Sequence, residues 1–307
     1  MVALSVLDLV PVATTPTAAF EATVRAAKVA EQAGYQRYWI AEHHNTSALA
    51  CGATSVLMGH IASATKTIRV GAGAFMLPLH RPLRLAEDLG TLSRLHPQRI
   101  EAAVSGGSGV DAETSRLLGR DSVISADLRA LQQALAGVPG LYTQVPLCIM
   151  GSGVQAAVLA GRLGLPFAFN SHIAPQQLDA AIAAYRRGFV PSRQCAQPYV
   201  LATANVMVCD SREEAEFQLT TLIQMFEGVV TGARGLLSPP RTIEMHPLVQ
   251  ARVQESLKVT FAGTGPDVTL RMQQWASASS IDEIITVTYA YESAVREASI
   301  QELGNWF

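Results

Sequence analysis

RYWIAEHHN, residues 37–45, joins an apolar run to a polar cluster with no turn residue between them. Tyr38, Trp39, Ile40 and Ala41 read as a short strand buried on both faces. Such strands belong to parallel sheets covered by helices, which carry their ligand sites at the carboxyl ends of the strands. Glu42, His43, His44 and Asn45 stand at that end. The plain alternative is a surface loop with Asn45 as a cap.

Working outward, the same kind of run recurs at residues 3–9, 68–76, 99–105, 146–151, 166–171, 199–208 and 283–288. Amphipathic helices separate them. Thr17 is a candidate cap for a helix burying Phe20, Val24, Ala27 and Ala30 and ending at Gly34. Ser211 with Glu214 has the spacing of a capping box, followed by Leu219, Leu222, Ile223 and Phe226 at helical spacing. Eight strands alternating with helices predict an α/β fold, a (β/α)8 TIM barrel in one domain over residues 1–307, rather than a six-stranded doubly wound sheet. Two connections, residues 106–145 and 228–249, are long enough to be lids or linkers.

Composition narrows the partners. Hydrophobic residues make up 49% and charged residues 16%, so a large core is available. A net charge of −2 gives no electrostatic basis for nucleic acid or an anionic membrane. The most apolar long stretch, residues 145–161, contains Ser152, Gln155, a Pro and three Gly, and reads as strand, turn and helix rather than a membrane span. The four cysteines form no CxxC pair and no signal peptide is visible, so a cytoplasmic protein with reduced thiols is expected.

The other strand ends supply Asp8, then Gly73, Ala74 and Phe75 with His80 beyond, then Ser105, Gly106, Gly107, Ser108 and Gly109, then Gly151, Ser152 and Gly153, then Asn170, Ser171 and His172. Histidine at three of these ends suits a polar pocket; His43 and His44 are adjacent, so on an extended chain they face opposite ways and cannot easily bind one ion. No metal is expected. GSGVQA, residues 151–156, follows a strand and opens a helix, which suits a phosphate. The next strand ends in Asn and Ser rather than an acid, which argues against NAD. SGGSG, residues 105–109, is either a phosphate nest or a flexible loop.

These motifs together resemble the bacterial luciferase-like flavin-dependent monooxygenases, most of all the single-component branch found in biosynthetic clusters. The likeness rests on LSVLDLVPV (4–12), GYQRYWIAEHHN (34–45), the run from 53 to 101 containing GAGAFMLPLHRP, GLPFAFNSHIAP (164–175) and GTGPDVTLRMQQW (263–275). It implies a TIM barrel that binds reduced FMN, forms a C4a-peroxyflavin with O2, and oxygenates a small organic substrate. It also implies a flavin reductase as the source of FMNH2. His43 would be the acid–base group beside the flavin, with His44 and Asn45 as pocket partners. Ala74-Phe75 would be the place of a non-proline cis peptide under the ring, with Asn170 and Ser171 near it. Asp8 is grouped with the cofactor residues. Ser105, Gly106, Gly107, Gly151, Ser152 and Gly153 would hold the phosphate.

Three positions depart from the family's pattern. Gly106 stands where relatives carry an Arg, and Gly153 and Ala156 stand where hydroxyls are usual. A lost Arg contact costs ~1.5–3 kcal/mol and each lost hydroxyl bond ~1 kcal/mol. FMN is therefore expected to be held weakly, as a reduced co-substrate. The alternatives are a barrel that has left flavin for a non-redox rearrangement or cyclisation, and a non-catalytic partner subunit. The apolar composition and sparse charge suggest a homodimer.

Overall fold

The computed structural model describes residues 2–107, 109–137 and 144–307. Ser108 of the SGGSG loop and residues 138–143 of the first long connection lie outside them. The strands are β1 (Ala3–Asp8), β2 (Arg37–Ile40), β3 (Arg69–Met76), β4 (Ile100–Ser105), β5 (Leu147–Gly151), β6 (Phe167–Phe169), β7 (Val200–Val208), β8 (Thr260–Gly263) and β9 (Glu283–Val287). All pair in parallel. β1 to β7 follow one another, and β9 joins β7 to β1, which closes an eight-stranded TIM barrel. Each expected strand is present within two residues at either end. β8 was not expected. It pairs only with residues 205–208 of β7, on the side that β6 occupies at residues 200–202, and so extends β7 beyond the closed ring.

The helix Pro16–Gln32 starts two residues earlier than expected: Thr15, not Thr17, is the cap and accepts from the Ala18 amide. Pro16 explains this, since its fixed φ and missing N–H suit the first helical position. At the helix Arg212–Thr231 the Ser211 hydroxyl accepts from the Glu214 amide, but Glu214 bonds Gln218 instead of closing the box.

Alternation along the strands sorts the interior. Arg37, Glu101, Glu283, Tyr199 and Ser5 meet inside the barrel near the amino ends of their strands. Arg37 Nε and Nη2 donate to Glu283 at 2.6 and 2.8 Å, and Nη1 donates to Glu101 at 2.9 Å. Tyr199 and Ser5 donate to Glu283 as well. Burial opposes the charge on Arg37, but the two carboxylates hold its pKa well above the ordinary value. Above this cluster Trp39, 1% exposed, donates Nε1–H to Glu101 at 2.6 Å. A Cβ at Gly71 or Gly73 would stand 2.8 Å from its ring. The two glycines are what let the indole lie across the barrel, closing it from below.

Candidate active site

Above Trp39 the barrel opens into a cavity of about 870 Å³ at the carboxyl ends of the strands. The inward parity of the strands supplies Leu7 and Leu9, Ala41 and then His43, Ser105, Met150, Asn170 and His172, and Tyr289. His43 thus continues the inward set of Arg37, Trp39 and Ala41. Asn45 takes a left-handed φ of 51°, which Asn tolerates better than most residues, and turns the chain back. Residues 48–50 then return beside the end of β1, with Val12 N bonded to Ala48 O and Ala50 N to Val10 O, both at 2.9 Å. His44 also lines the cavity, so the turn brings both histidines to one wall.

The carboxylate of Glu42 is buried behind that wall. It accepts from the Met76 amide and from His80 Nε2, both at 2.6 Å. His44 Nε2 lies 3.3 Å from the same oxygen but without hydrogen-bond geometry. Burial raises the Glu42 pKa, yet contacts with His44, His80 and the Met76 amide hold it below the usual carboxylate value. Arg120 fixes the turn that carries His80, donating to the carbonyls of His80 at 2.6 Å and Leu77 at 3.2 Å.

His172 stands on the same cavity. Its Nδ1 is 2.6 Å from the Thr203 hydroxyl. Burial, and then the nearby His43, push its pKa down to about 4. His43 is also held below the ordinary histidine value: burial is the main cause, followed by Arg234, while Glu42 works against it. Both rings are therefore neutral at pH 7, each with one ring nitrogen able to accept a hydrogen bond.

Other expected site residues lie elsewhere. Asp8 is one residue out of phase with Leu7 and points outward between barrel and helices. There its carboxylate takes Val10 N, Thr23, Tyr38 and Arg296 at 2.6–2.8 Å, so it has no lone pair to spare for a ligand in the cavity. Phe75 also turns away. The β3–β4 register shifts between Ala72 and Phe75, so Gly73, Ala74 and Met76 line the cavity while Phe75 packs edge-on to His80. The cis peptide is Gly73-Ala74, one bond before the expected position. The Ser171 hydroxyl is spent on the Thr203 carbonyl. Gly106, Gly107, Gly151, Ser152 and Gly153 do not line the cavity. A Cβ at Gly106 would meet Ile124 Cδ1 at 2.9 Å, and one at Gly151 would meet Ala156 Cβ at 2.5 Å, whereas Gly107 has open space around it.

The roof of the cavity comes from the end of the helix Arg212–Thr231 and the loop after it, inside the second long connection. Met225, Phe226, Val229, Val230, Arg234, Leu236 and Leu237 line it, Phe226 and Leu237 buried and Val229, Arg234 and Leu236 exposed. Gly232, φ +79°, makes the turn, and Leu237 N bonded to Val12 O at 2.8 Å ties the loop down over β1. The length of this connection marked it as a lid. Thr221 and Gln224 hold it from the other side, donating to the carbonyls of Ser238 at 3.1 Å and Pro239 at 2.9 Å.

The profile of luciferase-like monooxygenases matches residues 2–127. A luciferase-like monooxygenase of Escherichia coli (strain K12) is 35% identical, covering 98% of this chain and 95% of its own. The chain belongs to the luciferase-like monooxygenase family. The crystal structure of apo-MsnO8 superposes with a TM-score of 0.88 at 28% identity, over 100% of this chain and 98% of the other. The oxygenating constituent of 3,6-diketocamphane monooxygenase from the CAM plasmid of Pseudomonas putida, solved in complex with FMN, has a TM-score of 0.72 at 15% identity over 99% and 97% of the two chains. That second likeness extends the shared fold to a monooxygenase distant in sequence. In this luciferase-like barrel, the EHHN segment sits on the wall of the cavity and not on an outer surface loop.

Proposed function

We propose that this protein oxygenates a small organic substrate with O2 and reduced FMN, the flavin acting as a weakly held co-substrate supplied by a separate reductase. The observation that carries the reading is the convergence of His43, Asn170 and His172 with Ala74 on one cavity at the carboxyl ends of the strands. About 870 Å³ falls within the size of ligand sites and leaves room for a flat ring. Leu7, Gly73, Ala74 and Met150 offer apolar, close-approach surface for it. The helix Val154–Leu163 begins at Gly153 with no side chain capping its first amides, which leaves donors for a phosphate. Ser105, which lines the cavity, and Gly107 and Ser152, which lie outside its lining, complete that end of the reading. The residues therefore fit FMN, with fewer charged contacts than the family's pattern supplies.

Bound there, reduced FMN provides the electrons that let one oxygen atom of O2 enter the substrate while the other leaves as water. The protein's part is to exclude solvent under the apolar roof and to move protons. Neutral His43 accepts a proton from substrate or flavin at the cavity wall. His172 presents its free ring nitrogen as a hydrogen-bond acceptor. We further propose one domain over residues 1–307 and a homodimer through the helices after the early strands, which sedimentation velocity tests.

The test of the activity is product analysis under ¹⁸O2 with FMN, NADH and a flavin reductase, over a panel of apolar substrates. Incorporation of ¹⁸O that requires both flavin and the protein supports the reading. Turnover that continues without flavin and without O2 supports the non-redox alternative, which Gly106, Gly153 and Ala156 favour.

A further inference from the structure

We propose that Arg234 is the anion-recognising residue of the cavity, and that the substrate carries a carboxylate or equivalent oxyanion on an apolar body. This deepens the monooxygenase reading and rests on it for where the flavin phosphate lies.

Arg234 is the one Lys or Arg among the described residues lining the cavity, and no described residue forms an ion pair with it. The other charges there are already used. Glu42 is taken by Met76 N and His80. Asp111 caps the helix Ala112–Leu118, accepting from Thr114 N at 2.9 Å and its hydroxyl at 2.7 Å. Around Arg234 the roof is apolar, with Phe226, Val229 and Leu236 among its residues. An isolated guanidinium beside an apolar surface matches a ligand with one anionic end and a hydrocarbon body.

Position separates this anion from a flavin phosphate. The loop bearing Arg234 is tied at Leu237 to Val12, just past the end of β1. In the closed ring β1 stands opposite β5, whose end carries Ser152 and Gly153. An anion at Arg234 is thus across the mouth from the glycine turn proposed for the phosphate. It also shares the cavity with His43, which lines the same space. The anionic end of the substrate would then orient the rest of it against the proton acceptor.

The test is calorimetric titration of the full chain with octanoate and with octan-1-ol, the neutral probe of equal chain length, together with an FMN titration. Wild type should bind octanoate about tenfold or more tighter than octan-1-ol, as a charge-assisted pair gives. Arg234→Gln should erase that preference, Arg234→Lys should keep part of it, and FMN affinity should stay within about twofold in both. Arg234 is exposed, so loss of folding does not confuse the result; thermal unfolding checks it. Equal binding of the two probes to wild type, no binding of octanoate, or a preference that survives Arg234→Gln would overturn the proposal. So would a loss of FMN affinity in Arg234→Gln as large as the loss for octanoate, which would hand Arg234 to the flavin phosphate. If the octanoate preference behaves as expected while the wild type leaves reduced FMN unaffected, the anion site stands and the flavin reading is the part that fails.

Discussion

The Thr203 hydroxyl decides which nitrogen of His172 faces the cavity. The hydroxyl has one proton, and it is placed to donate to the Phe169 carbonyl at 3.2 Å. With its proton so placed it accepts from His172, whose amide lies 3.2 Å away and whose Nδ1 lies 2.6 Å away. That arrangement puts the ring proton on Nδ1 and leaves Nε2 as an acceptor. Thr203→Val keeps the shape and removes the acceptor. It should release the tautomer, seen as a changed ¹⁵N ring signature of His172, and cost ~1–3 kcal/mol in urea unfolding for the donors left without partners. An unchanged signature would mean that Thr203 does not set the tautomer.

His43→Ala should lower turnover by about 10²–10⁴-fold, the range for a group that moves a proton in the reaction, with little change in thermal unfolding. Wild-type rates in the variant would leave His43 as packing.

The same residue predicts a pH effect. Its pKa lies below the ordinary value of 6.5 and Arg234 is one cause, so in wild type the ring stays neutral as pH falls through 6.5 and takes its proton only below it. Removing a nearby positive charge favours the protonated form. In Arg234→Gln the NMR titration midpoint of His43 should therefore move upward, toward 6.5.

Glu42 gives a stability prediction. Its folded pKa lies below the unfolded value of 4.5. The stabilisation is thus fully present above pH 4.5 and is lost as pH falls through the folded value. Glu42→Gln should be less stable by ~1–3 kcal/mol at pH 7, with the gap to wild type closing in acid below pH 4.5. A gap independent of pH would show that the charge of Glu42 contributes nothing.

Much of the barrel was legible because its strands are continuous apolar runs, and the polar strand ends pointed to the mouth. What stayed hidden depended on closure or phase. Arg37, Glu101 and Glu283 are far apart in sequence, and only the closed ring brings them together inside it. The four residues of β8, TFAG, are too few to carry a period and are only half buried. Asp8 and Phe75 sit at strand ends like true cavity residues. Asp8 is out of phase by one, and Phe75 is turned by the register shift in β3. Arg234 lies in a connection whose length suggested a lid or linker but whose place over β1 is set by contacts distant in sequence, among them Leu237 N to Val12 O.

The phosphate end of the reading can be strengthened by substitution, and the structure says where. Gly106, the position where relatives carry Arg, has Ile124 against it, while Gly107 is open. Gly107→Arg should tighten FMN by about tenfold or more, and Gly106→Arg by less. A larger gain at Gly106 would mean that the loop shifts to admit the side chain.

The central claim is that this barrel handles reduced FMN, and stopped-flow reoxidation tests it without knowledge of the substrate. Photoreduced FMN is mixed with air-saturated buffer in the presence and absence of excess protein, and flavin absorbance is followed. Wild type should change the time course of reoxidation relative to free reduced flavin, the change should saturate with protein, and oxidised FMN should bind only in the micromolar range or weaker, so that the protein purifies colourless. A reoxidation trace identical to that of free flavin at saturating protein would contradict the claim.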